Sequence, residues 1–503
     1  MNNELAQAVY DRSPVWMQNL LLSAYGFSLY RARYGGSYRQ HLARLLRTER
    51  YSRSELAELQ AVELRRLLTH AARHVPWYAR LFAEHGISPD GIDPDNLGRA
   101  LPILEKDTAR TRTGLLIADN VAGGALHTIN TSGTTGSPLV IRATADALRR
   151  NYAFFERFLR TAGVRSRDRS VTFAGRMLLP AGRLEPPYWR SNWAMNTLLC
   201  SSYHLSDSTA EAYIRCIARF RPRYIDAYPS AAYTLALYLT ERPELPRIRP
   251  KAIVTSSETL LEHQRALIEE AFGCPVYDQY GSAELAACIT QCEHGSYHVN
   301  PEYGIVEIVR EDGRPAAPGE AGELICTGFL NDAMPMIRYR IGDSAIASDR
   351  SCGCGRAWPV VESLLGRVDD VIVTPDGRRI GRLDPLFKGL TGIKEAQIVQ
   401  VAPNRLEVNL VRDNAYDPSV GARLVEALSL RVGRDMQIEL RFLERIPRTA
   451  AGMWTPPPAH GNGAALFAAG HSSPQPRNGP GRCPASVEHC GPPDGAICPS
   501  LRA

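Results

Sequence analysis

Thr131-Ser-Gly-Thr-Thr-Gly-Ser-Pro138 is the stretch on which the fold turns. It follows a plausible strand, Ala125-Leu-His-Thr-Ile-Asn130. Every residue up to the proline is small or carries a hydroxyl. Glycines let a backbone approach a phosphate, and amides and hydroxyls donate to its oxygens. The spacing of a P-loop, Gly-x4-Gly-Lys-Ser/Thr, is absent. In isolation the same letters also read as a flexible Gly/Ser turn.

The chain around this stretch is long and ordinary in composition. At 503 residues it exceeds one ordinary core, so at least two domains are expected. It is 44% apolar and 22% charged, as a globular protein is. The 59 basic residues outnumber the 53 acidic ones by six, and the excess is spread along the chain. That gives little reason to expect nucleic acid, and it suits anionic ligands. Glu4 and Asp11 stand where a secretory leader needs basic residues, so a cytoplasmic location is expected. Residues 13–30 carry no charge but include Gln18, Asn19 and Ser23, too polar for a membrane span. They read as a helix packed on the body, with a helix lying at a membrane interface as the alternative.

Residues 1–115 read as mostly helical, with a capped start at Ser54 and apolar spacing from Val62 to Ala72. From there to residue 366, strand-like runs alternate with helical stretches. The strand-like runs are Ser170–Ala174, Ala252–Ser256 and Gly304–Val309, and the helical ones Thr209–Ile217 and Leu260–Ala271. This texture predicts an α/β domain with mostly parallel sheets. Residues 367–454 restart the pattern on a smaller scale, as a compact α+β domain. Residues 455–503 are rich in Pro, Gly, Ala and Ser without apolar periodicity, and are expected to be disordered. The tail's Cys483, Cys490 and Cys498 match no metal motif.

Four more segments follow the first in order: Tyr280-Gly-Ser-Ala-Glu284, Arg338-Tyr-Arg-Ile-Gly-Asp343, Gly366-Arg-Val-Asp-Asp370 and Pro447-Arg-Thr-Ala-Ala-Gly-Met453. Together the five resemble the adenylate-forming superfamily of acyl-CoA synthetases, peptide-synthetase adenylation domains and luciferases. Leu101-Pro-Ile-Leu-Glu-Lys106, Tyr297–Val306, Cys352-Gly-Cys-Gly-Arg356, Thr374–Ile380 and Ile393–Gln400 are similar to the phenylacetate-CoA ligase-like group, especially its CapK-like branch found with capsule and exopolysaccharide genes.

The resemblance implies a two-step reaction. A small carboxylic acid attacks the α-phosphate of ATP to give an acyl-adenylate, and a thiol, usually coenzyme A, then displaces AMP. It implies that Thr131, Ser132, Gly133, Thr134, Thr135 and Gly136 hold phosphates. Ser256, Ser257, Glu258, Gly281 and Ser282 would line the nucleotide pocket, with Tyr280 against adenine. Glu284 would hold Mg²⁺, for which a carboxylate is a suitable hard ligand. Asp343 would accept from the ribose hydroxyls and Arg367 would support ribose or phosphates. Asp369 would sit at the hinge of the small mobile domain. Residues near Tyr203-His204, Tyr228-Pro-Ser230 and Ser256-Ser257 would wall the acid pocket. Read without the resemblance, Glu284 is a glutamate in a helix's first turn and Arg367 to Asp370 a charged linker.

A second set is independent of the first. Cys292 and His298, with Cys352 and Cys354, suit a structural tetrahedral Zn²⁺, and Cys288 and His294 compete as ligands. Buried free cysteines are the other reading.

The fifth motif ends on Met453, where the family carries lysine. Methionine brings neither charge nor donor. Losing one such contact to the transition state costs about 3–4 kcal/mol, or ~10²–10³ in rate. The expectation is an ATP- and Mg²⁺-dependent acid–CoA ligase with weakened adenylation, its C-terminal end damaged in the gene or repurposed. Two alternatives stand beside it: transfer of the activated acyl group to an amine or sugar, and a non-catalytic nucleotide-binding relative.

Overall fold

The computed structural model describes residues 10–121, 126–130, 139–174, 178–179, 185–202, 204–205, 207–367, 372–373, 375, 379–380, 383, 386, 390, 392–412, 416–433, 435–444 and 465–469. Helices open the chain: α1 (Val15–Tyr34), α2 (Tyr38–Thr48) and α3 (Arg53–His74). The cap of α3 is Ser52, not Ser54. Ser52 Oγ accepts from the Glu55 N–H, and the Glu55 carboxylate accepts from the Ser52 N–H at 2.7 Å. Only Ser52 has a glutamate three residues on, which is what a capping box needs. Leu64, Leu67, Leu68 and Ala71 line the buried side of α3, as their spacing predicts.

Two short strands, β1 (Leu126–Asn130) and β2 (Val140–Thr144), pair antiparallel and lead into α4 (Ala145–Thr161). The strands β3 (Ser170–Ala174), β4 (Trp189–Asn192), β5 (Thr197–Ser201), β6 (Tyr224–Ala227), β7 (Ala252–Ser256) and β8 (Val276–Gly281) build one half of a large sheet. Helices α5 (Asp207–Phe220), α6 (Pro229–Glu241) and α7 (Glu262–Phe272) connect them. Strands β5, β3, β6, β7 and β8 run parallel in that spatial order. Parallel neighbours need such crossovers, and both faces are then covered. That is why Ala252-Ile-Val-Thr-Ser256 is buried at every position.

The other half comprises β9 (Cys288–Gln291), β10 (Tyr297–Val299), β11 (Gly304–Val309), β12 (Ala321–Gly328), β13 (Tyr339–Ala347) and β14 (Val360–Arg367). It completes a twelve-stranded sheet in the order β11-β12-β13-β14-β10-β9-β8-β7-β6-β3-β5-β4. The α/β class holds, but within this sheet parallel pairing is confined to β3 and β5 through β8. Beyond Gly281 the connections are too short for helical crossovers, so those strands pair antiparallel.

The small α+β C-terminal domain has its own core. Strands β15 (Ile372–Val373) and β16 (Arg379–Ile380) form a ribbon. Strands β17 (Ile393–Ala402), β18 (Arg405–Arg412) and β19 (Gln437–Phe442) pack Leu406, Val408 and Leu410 against Val420, Leu424 and Leu428 of α8 (Pro418–Val432). Strand β20 (Ala465–Ala469) pairs with β17. It falls inside the stretch expected to be disordered and corrects that expectation for these residues. Ala-Leu-Phe-Ala-Ala is its one apolar run free of Gly and Pro, so its backbone can join a ladder.

Candidate active site and a cysteine-histidine cluster

The C-terminal ends of β7 and β8 and the facing strand β13 gather the predicted nucleotide residues. Tyr280, next to last in β8, donates its hydroxyl to Asp343 Oδ2 at 2.6 Å. Burial pushes the Tyr280 phenol well above its usual range, and the Asp343 charge adds to this. Glu284 follows in the turn after β8 and is buried. Its Oε1 accepts from the Tyr339 hydroxyl at 3.2 Å. Burial raises its pKa, and the Lys106 charge opposes that rise. A buried carboxylate held up in this way gains from a divalent cation, so the donor chemistry fits Mg²⁺.

Strand register brings Arg367 opposite Asp343, on β14. The Arg367 side chain, Asp369 and Thr131 to Gly136 lie outside the described residues, as do Tyr203 and Met453. Chain order places Thr131 to Gly136 between β1 and β2, whose register pairs Asn130 with Val140.

Strand β7 ends at Ser256, and Ser257 takes φ +72. That conformation costs a non-glycine residue on the order of 1 kcal/mol. Ser256, Tyr280, Gly281 and Ser282 share a cavity of about 100 Å³ with Arg33, Tyr34, Tyr152 and Asp226. Arg33 lies over the Tyr152 ring at 4.4 Å. Glu258 does something different: its carboxylate accepts from the Ser230 N–H and hydroxyl, both at 3.0 Å, at the start of α6. His204 meets Ser201 Oγ at 2.8 Å and stacks on Tyr188. Of the expected acid-pocket residues that are described, only Ser256 lines this cavity.

Lys106 and Tyr339 were not singled out as site residues, although both lie inside quoted motifs. Lys106 starts a short helix, Lys106–Thr111, and its Nζ reaches Ile341 O at 3.5 Å. Nothing in the local sequence says that this lysine faces a glutamate nearly two hundred residues away. Arg338, by contrast, is structural: it makes two 3.0 Å bonds to Glu307 and a short one to Leu101 O.

The other constellation lies beside β10. Cys292 Sγ is 3.6 Å from Cys352 Sγ, and Cys354 Sγ is 3.5 Å from His298 Nε2. All four ligand atoms lie within 4.8 Å of one another. Tetrahedral Zn–S bonds of ~2.3 Å put sulfurs roughly 3.8 Å apart, so the set fits zinc. His298 Nδ1 faces the Trp358 carbonyl at 3.3 Å, leaving Nε2 toward the cysteines. Burial lowers the His298 pKa and pushes the Cys292 thiol up to about 12. At Cys352, burial is outweighed by hydrogen bonds from Ser296 and Cys354, and its thiol falls below the usual range. The competing ligands stand outside this set: Cys288 lines the Tyr280 cavity, and His294 meets Cys292 through its backbone N–H at 3.4 Å.

This sheet and the small C-terminal domain share the fold of adenylate-forming CoA ligases. Within that class the chain is similar to the phenylacetate-CoA ligase-like, CapK-like group. Residues 372–455 match the CapK C-terminal domain family. CapK of Staphylococcus aureus is 27% identical over 450 residues, covering 88% of this chain and 97% of that protein. Phenylacetate-coenzyme A ligase of Thermus thermophilus is 28% identical over 334 residues, covering 65% and 73%. The structure of 2-hydroxyisobutyryl-CoA ligase in its postadenylation state shares the fold, with a TM-score of 0.56 at 18% identity, covering 80% of this chain and 89% of that one.

Proposed function

We propose that this chain activates a small carboxylic acid as its acyl-adenylate and passes the acyl group to coenzyme A. The carrying observation is the convergence of Tyr280, Asp343, Glu284 and Lys106 from segments far apart in sequence. In the first step a carboxylate oxygen bonds to the α-phosphorus of ATP and pyrophosphate leaves with its bonding electrons. In the second a thiolate bonds to the acyl carbon and AMP leaves. Tyr280 would pack on adenine and fix the Asp343 carboxylate, whose remaining lone pairs would accept from ribose. Glu284 would hold Mg²⁺, which when bound neutralises charge on the phosphates. Lys106 would hold Glu284 ionised. Thr131 to Gly136 would cradle phosphates, Arg367 would support ribose or phosphate, and Asp369 would serve the hinge. Met453 leaves adenylation short of one cation, so the first step is slow.

Cys292, His298, Cys352 and Cys354 would hold a structural Zn²⁺. Four protein ligands leave no open position for substrate. The test of the main reading is incubation with Mg-ATP and a panel of aryl and short acids, with acyl-AMP and pyrophosphate followed by mass spectrometry. Acid-dependent adenylate supports it. ATP binding without any adenylate supports a non-catalytic nucleotide-binding relative.

A further inference from the structure

Helix α1 is built inside out. Its inward side chains are polar or small: Gln18, Asn19, Ser23 and Gly26. Gln18 Oε1 accepts from the fully buried Arg190. Asn19 Oδ1 accepts from the Ser191 N–H at 3.0 Å, and Ser23 Oγ from the Trp193 N–H at 3.0 Å. Gly26 sits so close to Asn192 that a Cβ there would lie 2.4 Å from its amide atoms. The helix is thus docked on β4 through hydrogen bonds, and β4 fixes its rotation.

Leu22 and Tyr34 pack on the core, but four large apolar side chains point outward. Trp16 is 61% exposed, Phe27 55%, Leu20 52% and Leu21 44%. Trp16, Leu20, Ala24, Phe27 and Arg31 follow the four-four-three-four spacing of one helical stripe, all exposed. Trp193, 62% exposed, stands beside Ser23 through its backbone and extends the patch onto the sheet edge. Scattered exposed apolar residues need no explanation, but a contiguous stripe opposite a polar docking face does.

The rim of this patch is cationic. Exposed Arg12 and Arg31 bracket the charge-free run from Ser13 to Tyr30. Arg167 lies over the Tyr30 ring at 5.2 Å, in a loop that also exposes Arg165 and Arg169. The nearby acids are half-buried Asp11 and Asp168, and Asp168 is paired with Arg223 at 3.0 Å.

We propose that α1 and Trp193 seat the protein on an anionic bilayer surface, with the aromatic rings at headgroup depth and the arginines on the lipid charges. Trp and Arg are the side chains that suit that boundary. The helix would lie on the membrane rather than span it: among the described residues no helix is long and apolar enough to cross. A second copy of the chain is the competing occupant. A two-fold interface would set the cationic rim against itself, and like charges across an interface are costly.

The test is flotation of the full chain with vesicles of phosphatidylcholine alone and with phosphatidylglycerol added. The expected result is binding at least tenfold tighter to the anionic vesicles, weakened by salt, and reduced at least tenfold in Leu20→Ser/Phe27→Ser. Arg31→Glu should lower anionic binding several-fold. These side chains point outward, so both variants should melt with the parent. Vesicle binding that Leu20→Ser/Phe27→Ser leaves intact overturns the proposal. So does an absence of vesicle binding, whether or not light scattering shows a dimer. A dimer that the same double variant makes monomeric would assign the stripe to self-association.

Discussion

Replacing Arg157 by methionine should destabilise this protein by about 3–5 kcal/mol, the cost of stranding one partner of a buried ion pair. Arg157 in α4 and Glu302 before β11 are 2% and 5% exposed, and their shortest contact is 2.6 Å. Arg157 also donates to Asn300 Oδ1 at 2.7 Å and to Leu45 O at 3.2 Å, and lies over the Trp358 ring at 4.3 Å. Methionine keeps most of the volume but removes every donor. Glu302 would then keep the Thr48 hydroxyl, at 2.6 Å, and its own backbone N–H. Thermal melting should fall on the order of 5–10 °C. The double variant Arg157→Met/Glu302→Leu should recover at least half the loss, because no charge is left buried. The pH dependence has a definite sign. Burial resists ionisation of Glu302, but Arg157 and Thr48 outweigh it and hold its pKa below the usual range. The pair therefore contributes above the ordinary glutamate pKa, and its contribution is lost as pH falls through the lower folded value. Urea melts at pH 7 and pH 4 read both effects. An Arg157→Met protein within about 1 kcal/mol of the parent would mean water reaches the pair, and the burial argument would fail.

Three further outcomes follow from the sites. In a Met453→Lys background, Glu284→Gln should lower pyrophosphate release ~10²-fold with melting nearly unchanged, since it removes the charge that would hold Mg²⁺. Metal analysis of the purified chain should find one zinc, and Cys352→Ser should lose it along with several degrees of melting temperature; a metal-free parent that melts normally would refute the zinc reading. Burial pushes Asp278 up to about 6, against the Thr255 and Tyr297 hydroxyls that favour its ionised form. Its stabilising share is full below the unfolded pKa and lost as pH rises through about 6. Relative to Asp278→Asn, the parent should lose about 2 kcal/mol of stability between pH 4 and pH 7 by denaturant melts.

Much of this was legible in the sequence for a physical reason. Ser170–Ala174, Ala252–Ser256 and Gly304–Val309 are strands with the expected bounds, because their β-branched runs leave no competing helical period. Tyr280 and Asp343 were legible as motif members and proved to be hydrogen-bonded neighbours. What escaped was set by long-range packing. The facing of Lys106 and Glu284 depends on strand β13 lying between their segments. The choice of Cys292, His298, Cys352 and Cys354 over Cys288 and His294 needs the β9–β10 register, which pairs His298 with Thr290 and leaves Cys288 two residues further along the strand, in the Tyr280 cavity. Helix α1 was legible as a helix on the body, but not in its rotation: apolar residues normally face inward, and here Arg190 and the β4 edge reward polar partners instead.

The central claim is carboxylate activation limited by Met453. The direct measurement is pyrophosphate release with Mg-ATP across aryl and short acids, comparing the chain as it stands with Met453→Lys. The account predicts a gain of ~10²–10³ in the lysine variant for at least one acid. Equal release from both proteins would contradict it and place the missing charge on another residue.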